Sequence, residues 1–230
     1  MGKKLSDNNK DIIAAKSRTV PSTSAKHGTG SGAEITEKEI FEKGYKTILA
    51  IDEAGRGPLA GPLCVGGTLF QSIHIPLLKN RIFFDSKQLS EIKRNDLFSV
   101  IEKEKIPHKT IFISAHRIDT RGIQYAWEAG IKKLADHFQP DVVLIDGRWA
   151  FNFSFPHLFI VDGDNLLPSI SAASIVAKVT RDAHMVALHK KYPQYDFQKH
   201  RGYGTKNHIT LIKKHGLSPL HRKTYCKNFL

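Results

Sequence analysis

Short apolar runs that stop at carboxylates recur along this chain. Thr47-Ile48-Leu49-Ala50-Ile51 is partly β-branched and gives way to Asp52, Glu53 and then glycine, which predicts a buried strand rather than a helix. Leu63 to Phe70 is a second apolar run, and the glycines between the two predict a hairpin or tight return. Further strands are predicted over residues 110–114, over Val142–Ile145 ending in Asp146-Gly147, and over Leu158–Val161 ending in Asp162-Gly163-Asp164. Helical spacing predicts a short helix over residues 35–44 closing at Gly44 and another from an N-cap at Ser90 to about Lys105. Two more are predicted, Gly122–Phe138 and a long small-residue helix from Pro168 past Arg181-Asp182. The pattern is that of an α/β fold with helices around a sheet.

Three predicted strands therefore end in acids. Where such strands are neighbours, their ends converge at one edge of the sheet, the usual place for a site in α/β folds. Adjacent carboxylates repel and raise each other's pKa unless a cation neutralises them, and all-oxygen sites of this kind suit Mg²⁺ or Mn²⁺. An exposed acidic loop that caps a helix is the alternative reading of residues 52 and 53 alone. In the long helix, Ser171, Ser174 and Lys178 recur at spacings of three and four and so share a face with Asp182. Such serines serve packing more often than ligation.

With 230 residues, 40% of them hydrophobic, the chain has enough apolar material for one sizeable core. Its two cysteines, Cys64 and Cys226, are too far apart to form a disulfide or metal pattern, which fits a reducing cytoplasm. No apolar run reaches the roughly 18 residues that span a bilayer, and the opening lacks the apolar stretch of a signal peptide. Gly2 with Ser6 fits the loose myristoylation pattern, which we read as chance.

The net charge is +13, and its placement matters more than its size. Residues 1–34 carry six basic and three acidic side chains, residues 165–230 carry twelve and two, and the stretch between is neutral. The first segment reads as a disordered basic extension. In the last, cations including Arg181, Lys199, Arg201 and Arg222 alternate with Tyr192, Tyr195, Tyr203 and Tyr225, a footprint suited to a polyanion backbone. The twelve histidines show no metal-ligand spacing and are read mainly as surface or polyanion-facing residues. No serine sits on a nucleophile-elbow pattern. Asp85-Ser86-Lys87 precedes the helix capped by Ser90, where a hydroxyl and an ammonium could hold phosphate.

Five segments together carry a resemblance: IDEAGRGPLAGP at 51–62, DSKQLS at 85–90, the strand ending Asp146-Gly147, Gly163-Asp164 followed by SAASIVAKVTRD, and the closing HRGYGT. In this order they resemble the type 2 ribonucleases H, specifically ribonuclease HII, over about residues 36–225. The resemblance implies an RNase H-like fold, a central mixed sheet flanked by helices with a helical C-terminal region, over residues 35–230. It implies an endoribonuclease that cuts the RNA strand of RNA/DNA hybrids and the 5′ side of single ribonucleotides embedded in duplex DNA. By the family's motifs, the metal-binding catalytic carboxylates fall on Asp52, Glu53, Asp146 and Asp164. The loop that senses the ribose 2′-hydroxyl falls on Gly55, Arg56 and Gly57, and the junction-reading tyrosine on Tyr203. Ser86, Lys87 and Lys178 are expected to hold phosphate, Mg²⁺ or Mn²⁺ to serve as cofactor, and the protein to act as a monomer.

Two positions depart from the family's pattern. Asp162 stands where a lysine is expected just before the Gly-Asp pair, and Gly122 where asparagine is expected after Ile118-Asp119. Asp182 is a possible fifth acid, or else a structural ion-pair partner of Arg181. Two other readings stay open at this level: a catalytically silent nucleic-acid-binding module, and a related metal-dependent nuclease indifferent to the sugar.

Overall fold

The computed structural model describes residues 35–79, 83, 89–148 and 151–229. The expected basic extension at 1–34 and the phosphate-binding pair Ser86 and Lys87 lie outside the described residues. Helix α1 (Glu37–Glu42) opens the fold with a capping box between Thr36 and Glu39. Strands β1 (Thr47–Ala54) and β2 (Leu63–Gln71) follow as an antiparallel pair. A short α2 (Ile75–Lys79) and α3 (Glu91–Lys103), whose cap Ser90 accepts from the Lys93 amide, lead to β3 (His108–Ile113). Next come α4 (Ala115–Phe138), β4 (Val142–Asp146) and β5 (His157–Ile160). The chain ends in α5 (Gly163–Leu166), the long α6 (Pro168–His189), α7 (Phe197–His200), α8 (Lys206–His215) and α9 (Lys223–Cys226).

The five strands form one mixed sheet in the order β3-β2-β1-β4-β5. β1, β4 and β5 run parallel, so their carboxyl ends lie on one edge. Period-two alternation divides the core between the two faces. Ile48, Ala50, Val142 and Leu144 pack with Ile170, Ala173 and Val176 of α6 on one side. Leu49, Ile51, Val143 and Ile145 pack with Trp127, Ile131 and Leu134 of α4 on the other. At Gly66 of β2, a Cβ would collide with the backbone of Ala173 and Ala177. That missing side chain lets α6 lie directly on the sheet.

The expected strands and helices form, with shifted ends. β1 runs three residues beyond Ile51, so the two acids belong to the strand and remain paired with β2. α4 starts seven residues before Gly122, capped by Ser114, and breaks at Gly122 itself, where φ 84 and ψ 160 form a conformation essentially restricted to glycine. The absent asparagine therefore has a local backbone reason. Gly44 closes α1 with φ 93, as its position predicted.

The C-terminal helices correct the charge-based reading of that segment. Arg181 and Arg222 are fully buried, as are His208, His221 and Tyr195 to within two percent, so none belongs to a polyanion-facing surface. His200 stacks on His208 with ring centroids 4.2 Å apart, and His208 Nε2 lies 3.2 Å from His221 Nε2. Burial pushes the pKa of both His208 and His221 down to about 4. These rings are neutral packing elements between α7, α8 and the chain before α9.

Candidate active site

Asp52 and Glu53 leave β1 in opposite directions because successive strand residues alternate faces. Asp52 continues the α6-facing row of Ile48 and Ala50 and is 3% exposed. The parallel register pairs Ile51 with Ile145, which places Asp146 beside Asp52 on the neighbouring strand. Asp52 Oδ1 accepts from the Glu53 amide at 2.7 Å, and the Ser174 side chain of α6 also hydrogen-bonds its carboxylate. Asp146 Oδ1 accepts from the Gly163 amide at 2.7 Å. Glu53 pairs with Arg56 at 2.6 Å.

Asp52 carries the electrostatic strain of the site. Burial, then the charges of Glu53 and Asp146, hold its carboxyl well above the usual carboxylate range. A divalent cation offsets all three causes at once. The nearby carboxylate oxygens are hard donors of the kind Mg²⁺ and Mn²⁺ prefer. Among the described residues no three His, Cys, Asp or Glu side chains already form a closed metal cage. Glu53 and Asp146 are engaged with Arg56 and the Gly163 amide, but the donor chemistry and the raised Asp52 pKa fit a cation.

The loop after β1 is held from beneath by two buried guanidinium groups. Arg181 Nε donates to Pro62 O at 3.1 Å and its Nη2 to Ala60 O at 3.3 Å. Arg222 Nη2 donates to Gly55 O at 2.6 Å and its Nη1 to Arg56 O at 2.7 Å. Gly55 has φ +92 and packs so closely on the Arg181 side chain that a Cβ has no room. The C-terminal region completes the support: Gly61 N donates to Leu220 O, Arg222 N to Leu59 O, and Leu59 N to Gly202 O.

Acids and loop face one open cleft of about 320 Å³. Asp52, Glu53 and Asp146 line it together with Gly55, Arg56 and Gly57. Lys178 and Tyr203 close the other side, the ammonium 5.5 Å from the tyrosine ring centroid. Lys178 also pairs with Asp182 at 2.9 Å. Arg181 points inward to the loop and feels Asp182 only through its charge. Asp164, the fourth predicted acid, is fully buried in α5 and is not among the residues lining the cleft. Asp162 caps α5 in a left-handed conformation that aspartate tolerates, and it is exposed, where water screens its extra charge.

Sequence reasoning missed four residues here. Ser174 was read as packing but reaches Asp52, and Arg94 lines the cleft from α3 while donating to Leu89 O at 2.8 Å. Position four after the Ser90 cap was the only available signal for Arg94. Arg181 and Arg222 were counted as surface charge, and no local pattern marks them as buried.

The family model for ribonuclease HII matches residues 49–228. This chain belongs to the ribonuclease HII family. The ribonuclease HII of Clostridioides difficile (strain 630) is 41% identical over 198 residues, spanning 85% of this chain and 76% of that protein. The crystal structure of a Pyrococcus horikoshii OT3 ribonuclease H2 superposes with a TM-score of 0.67 at 24% identity, covering 80% of this chain and 96% of the other. A Bst ribonuclease HIII in complex with Mn²⁺ gives a TM-score of 0.62 at 17% identity, covering 90% and 77%. These likenesses bear out the expected RNase H-like fold, with its mixed sheet, flanking helices and helical C-terminal region. For the ribonuclease HII chain described here, no helix among the described residues is long and apolar enough to cross a membrane.

Proposed function

We propose that this ribonuclease H hydrolyses the RNA strand of RNA/DNA hybrids and cuts the 5′ side of single ribonucleotides in duplex DNA, leaving 5′-phosphate and 3′-hydroxyl ends. The observation that carries the proposal is one cleft lined both by the strand-end acids and by the Gly55-Arg56-Gly57 loop. Family membership supports ribonuclease H chemistry, and the loop supports selectivity for the sugar. The same reading assigns the catalytic unit to residues 35–230 of a single chain.

Asp52, Glu53 and Asp146 are proposed to hold Mg²⁺ or Mn²⁺, with Asp164, buried in α5, as the fourth acid. Bound there, a pair of such ions supplies an activated water and stabilises the departing 3′ oxygen. Ser174 favours the ionised form of Asp52 by donating to its carboxylate, against the burial and acidic neighbours that raise its pKa. Gly57 has no side chain to block the cleft, so the loop backbone can approach the 2′-hydroxyl, the group that separates RNA from DNA at one nucleotide. Tyr203, 40% exposed above Lys178 and Arg181, offers a flat face to the nucleotide at the RNA–DNA junction. Lys178 and Arg94 place positive charge for the backbone phosphates without reading sequence. The same phosphate role is proposed for Ser86 and Lys87.

The test is cleavage of a labelled DNA duplex carrying one ribonucleotide, with Mg²⁺, with Mn²⁺ and with chelator, beside an all-DNA duplex. Metal-dependent cutting only 5′ of the ribonucleotide is the expected result. Equal cutting of both duplexes would show a nuclease without sugar selectivity, and binding without cutting would show a silent module. Either result overturns the proposal.

A further inference from the structure

We propose that Arg222 is a positioning residue for sugar selectivity: its buried guanidinium fixes two peptide planes of the Gly55–Gly57 loop so that their N–H groups face the cleft. This rests on the reading of that loop as the ribose sensor.

The geometry comes from the carbonyls. Arg222 is fully buried and donates to Gly55 O at 2.6 Å, to Arg56 O at 2.7 Å, and to Gly61 O from both Nε and Nη2 at 3.1 and 2.9 Å. In a planar trans peptide the C=O and N–H point in opposite directions, and the described peptides are all trans. Anchoring the carbonyls of residues 55 and 56 on the buried side therefore turns the amides of Arg56 and Gly57 the other way. The cleft is lined by these same loop residues.

The charge adds to the orientation. Hydrogen bonds from a guanidinium are roughly twice as strong as neutral ones, and they polarise the peptides that accept them, which strengthens the opposite N–H as a donor. Burial lowers the Arg222 pKa to about 10, so it remains a cation at neutral pH. A cation held inside the protein on carbonyl partners is costly to keep. An apolar side chain could fill the same space, but could not set the two peptide planes.

The arm that carries Arg222 is itself fixed. Its amide donates to Leu59 O at 2.8 Å, and Asp119 accepts from Lys223 N at 2.8 Å, Thr224 N at 3.0 Å and Thr224 Oγ1 at 2.6 Å. Tyr225 places its ring 5.1 Å from the guanidinium carbon. None of these groups lines the cleft, so Arg222 acts only through the loop.

The experiment compares two duplexes in Mg²⁺, one with a single ribonucleotide and one with a 2′-fluoro nucleotide at the same place, which lacks the hydroxyl proton. For full-length wild type, Arg222→Lys, Arg222→Met and Asp119→Asn, the ratio of kcat/KM on the two duplexes is measured. The amide ¹H–¹⁵N resonances of Arg56 and Gly57 are recorded alongside. The expected result is a ratio reduced about 10- to 100-fold in the Arg222 variants, with both resonances displaced and duplex affinity little changed. Asp119→Asn, which leaves the guanidinium in place on a loosened arm, is expected to reduce the ratio by a smaller factor. A folded variant of Arg222 that loses activity equally on both duplexes and keeps the ratio would show a merely structural role and overturn the inference. If Arg222→Lys and Arg222→Met do not fold, an unchanged ratio in Asp119→Asn overturns it. A wild-type enzyme that does not distinguish the two duplexes overturns instead the reading of the loop as a ribose sensor.

Discussion

Ser174 of α6 hydrogen-bonds the carboxylate of Asp52 across the interface between helix and sheet. Ser174 opposes the burial and the two acidic neighbours that drive the Asp52 pKa upward. Ser174→Ala should therefore make Asp52 harder to ionise. We expect the acid limb of the kcat/KM profile to move to higher pH, with activity at the acid end about tenfold lower, the size of one hydrogen bond to a charged group. Cleavage rates across the acid range check this, and a profile of unchanged shape would leave Ser174 a packing residue.

Removing the Asp52 charge should separate stability from activity. Asp52→Asn abolishes a buried charge held against Glu53 and Asp146, so in chelator the variant should be at least as stable as wild type, by up to about 2 kcal/mol. Its cleavage activity should fall by about a thousandfold or more. Divalent cation should raise the melting temperature of wild type by binding the folded state, and raise that of the variant much less. Thermal denaturation with Mg²⁺ and with chelator reads both effects. A wild-type melting temperature indifferent to cation would count against the acidic cleft as the metal site.

Close contact between α6 and the sheet puts Ser174 within reach of Asp52. Gly66→Ala inserts a methyl group against the Ala173 carbonyl and the Ala177 amide. Backbone atoms cannot move aside as a side chain tip can, so overpacking should cost about 1–3 kcal/mol. We also expect a loss of cleavage activity greater than the stability loss explains, because α6 carries Ser174 and Lys178. Urea unfolding and kcat on the same preparation distinguish the two effects.

How much of this was legible in the sequence depends on the range of the contact. The acids Asp52 and Asp146 could be read locally, because a buried strand is a continuous apolar run and the charges that interrupt it stand out, although β1 itself runs on to Ala54. Ser90 could be read as a cap for the same reason. Arg181 and Arg222 could not, since their burial depends on the carbonyls of residues 55–62, more than a hundred positions away. Charge counting treats every cation as solvated. The front of α4 was missed because Gly122 interrupts it, although Ser114 caps it through the Arg117 amide. Asp164 was placed by motif alone, and its full burial in the short α5 is something no periodicity reports.

The histidine cluster should make stability depend on pH in a defined window. His208 and His221 are held neutral, with pKa lowered by burial from the ordinary 6.5 to about 4. In the unfolded chain they bind protons below about pH 6.5, so there the unfolded state gains protons that the folded state does not. Their contribution is intact above that pH and is lost as pH falls towards about 4. His200, also lowered by burial, acts in the same direction. Asp119 and Asp196, whose pKa values are lowered, give up their stabilisation only below the ordinary aspartate value of 3.8. Asp52 has the opposite sign, because its raised pKa favours the folded state at low pH. The measurement therefore belongs on the Asp52→Asn background, by urea unfolding at about pH 7 and about pH 4.5. We expect stability to fall by about 5 kcal/mol across that interval, an order-of-magnitude figure that sums the two histidines. His221→Asn should reduce the dependence by roughly half, because an amide cannot titrate there while His208 still does. An equal slope in that variant would place the acid sensitivity elsewhere in the fold.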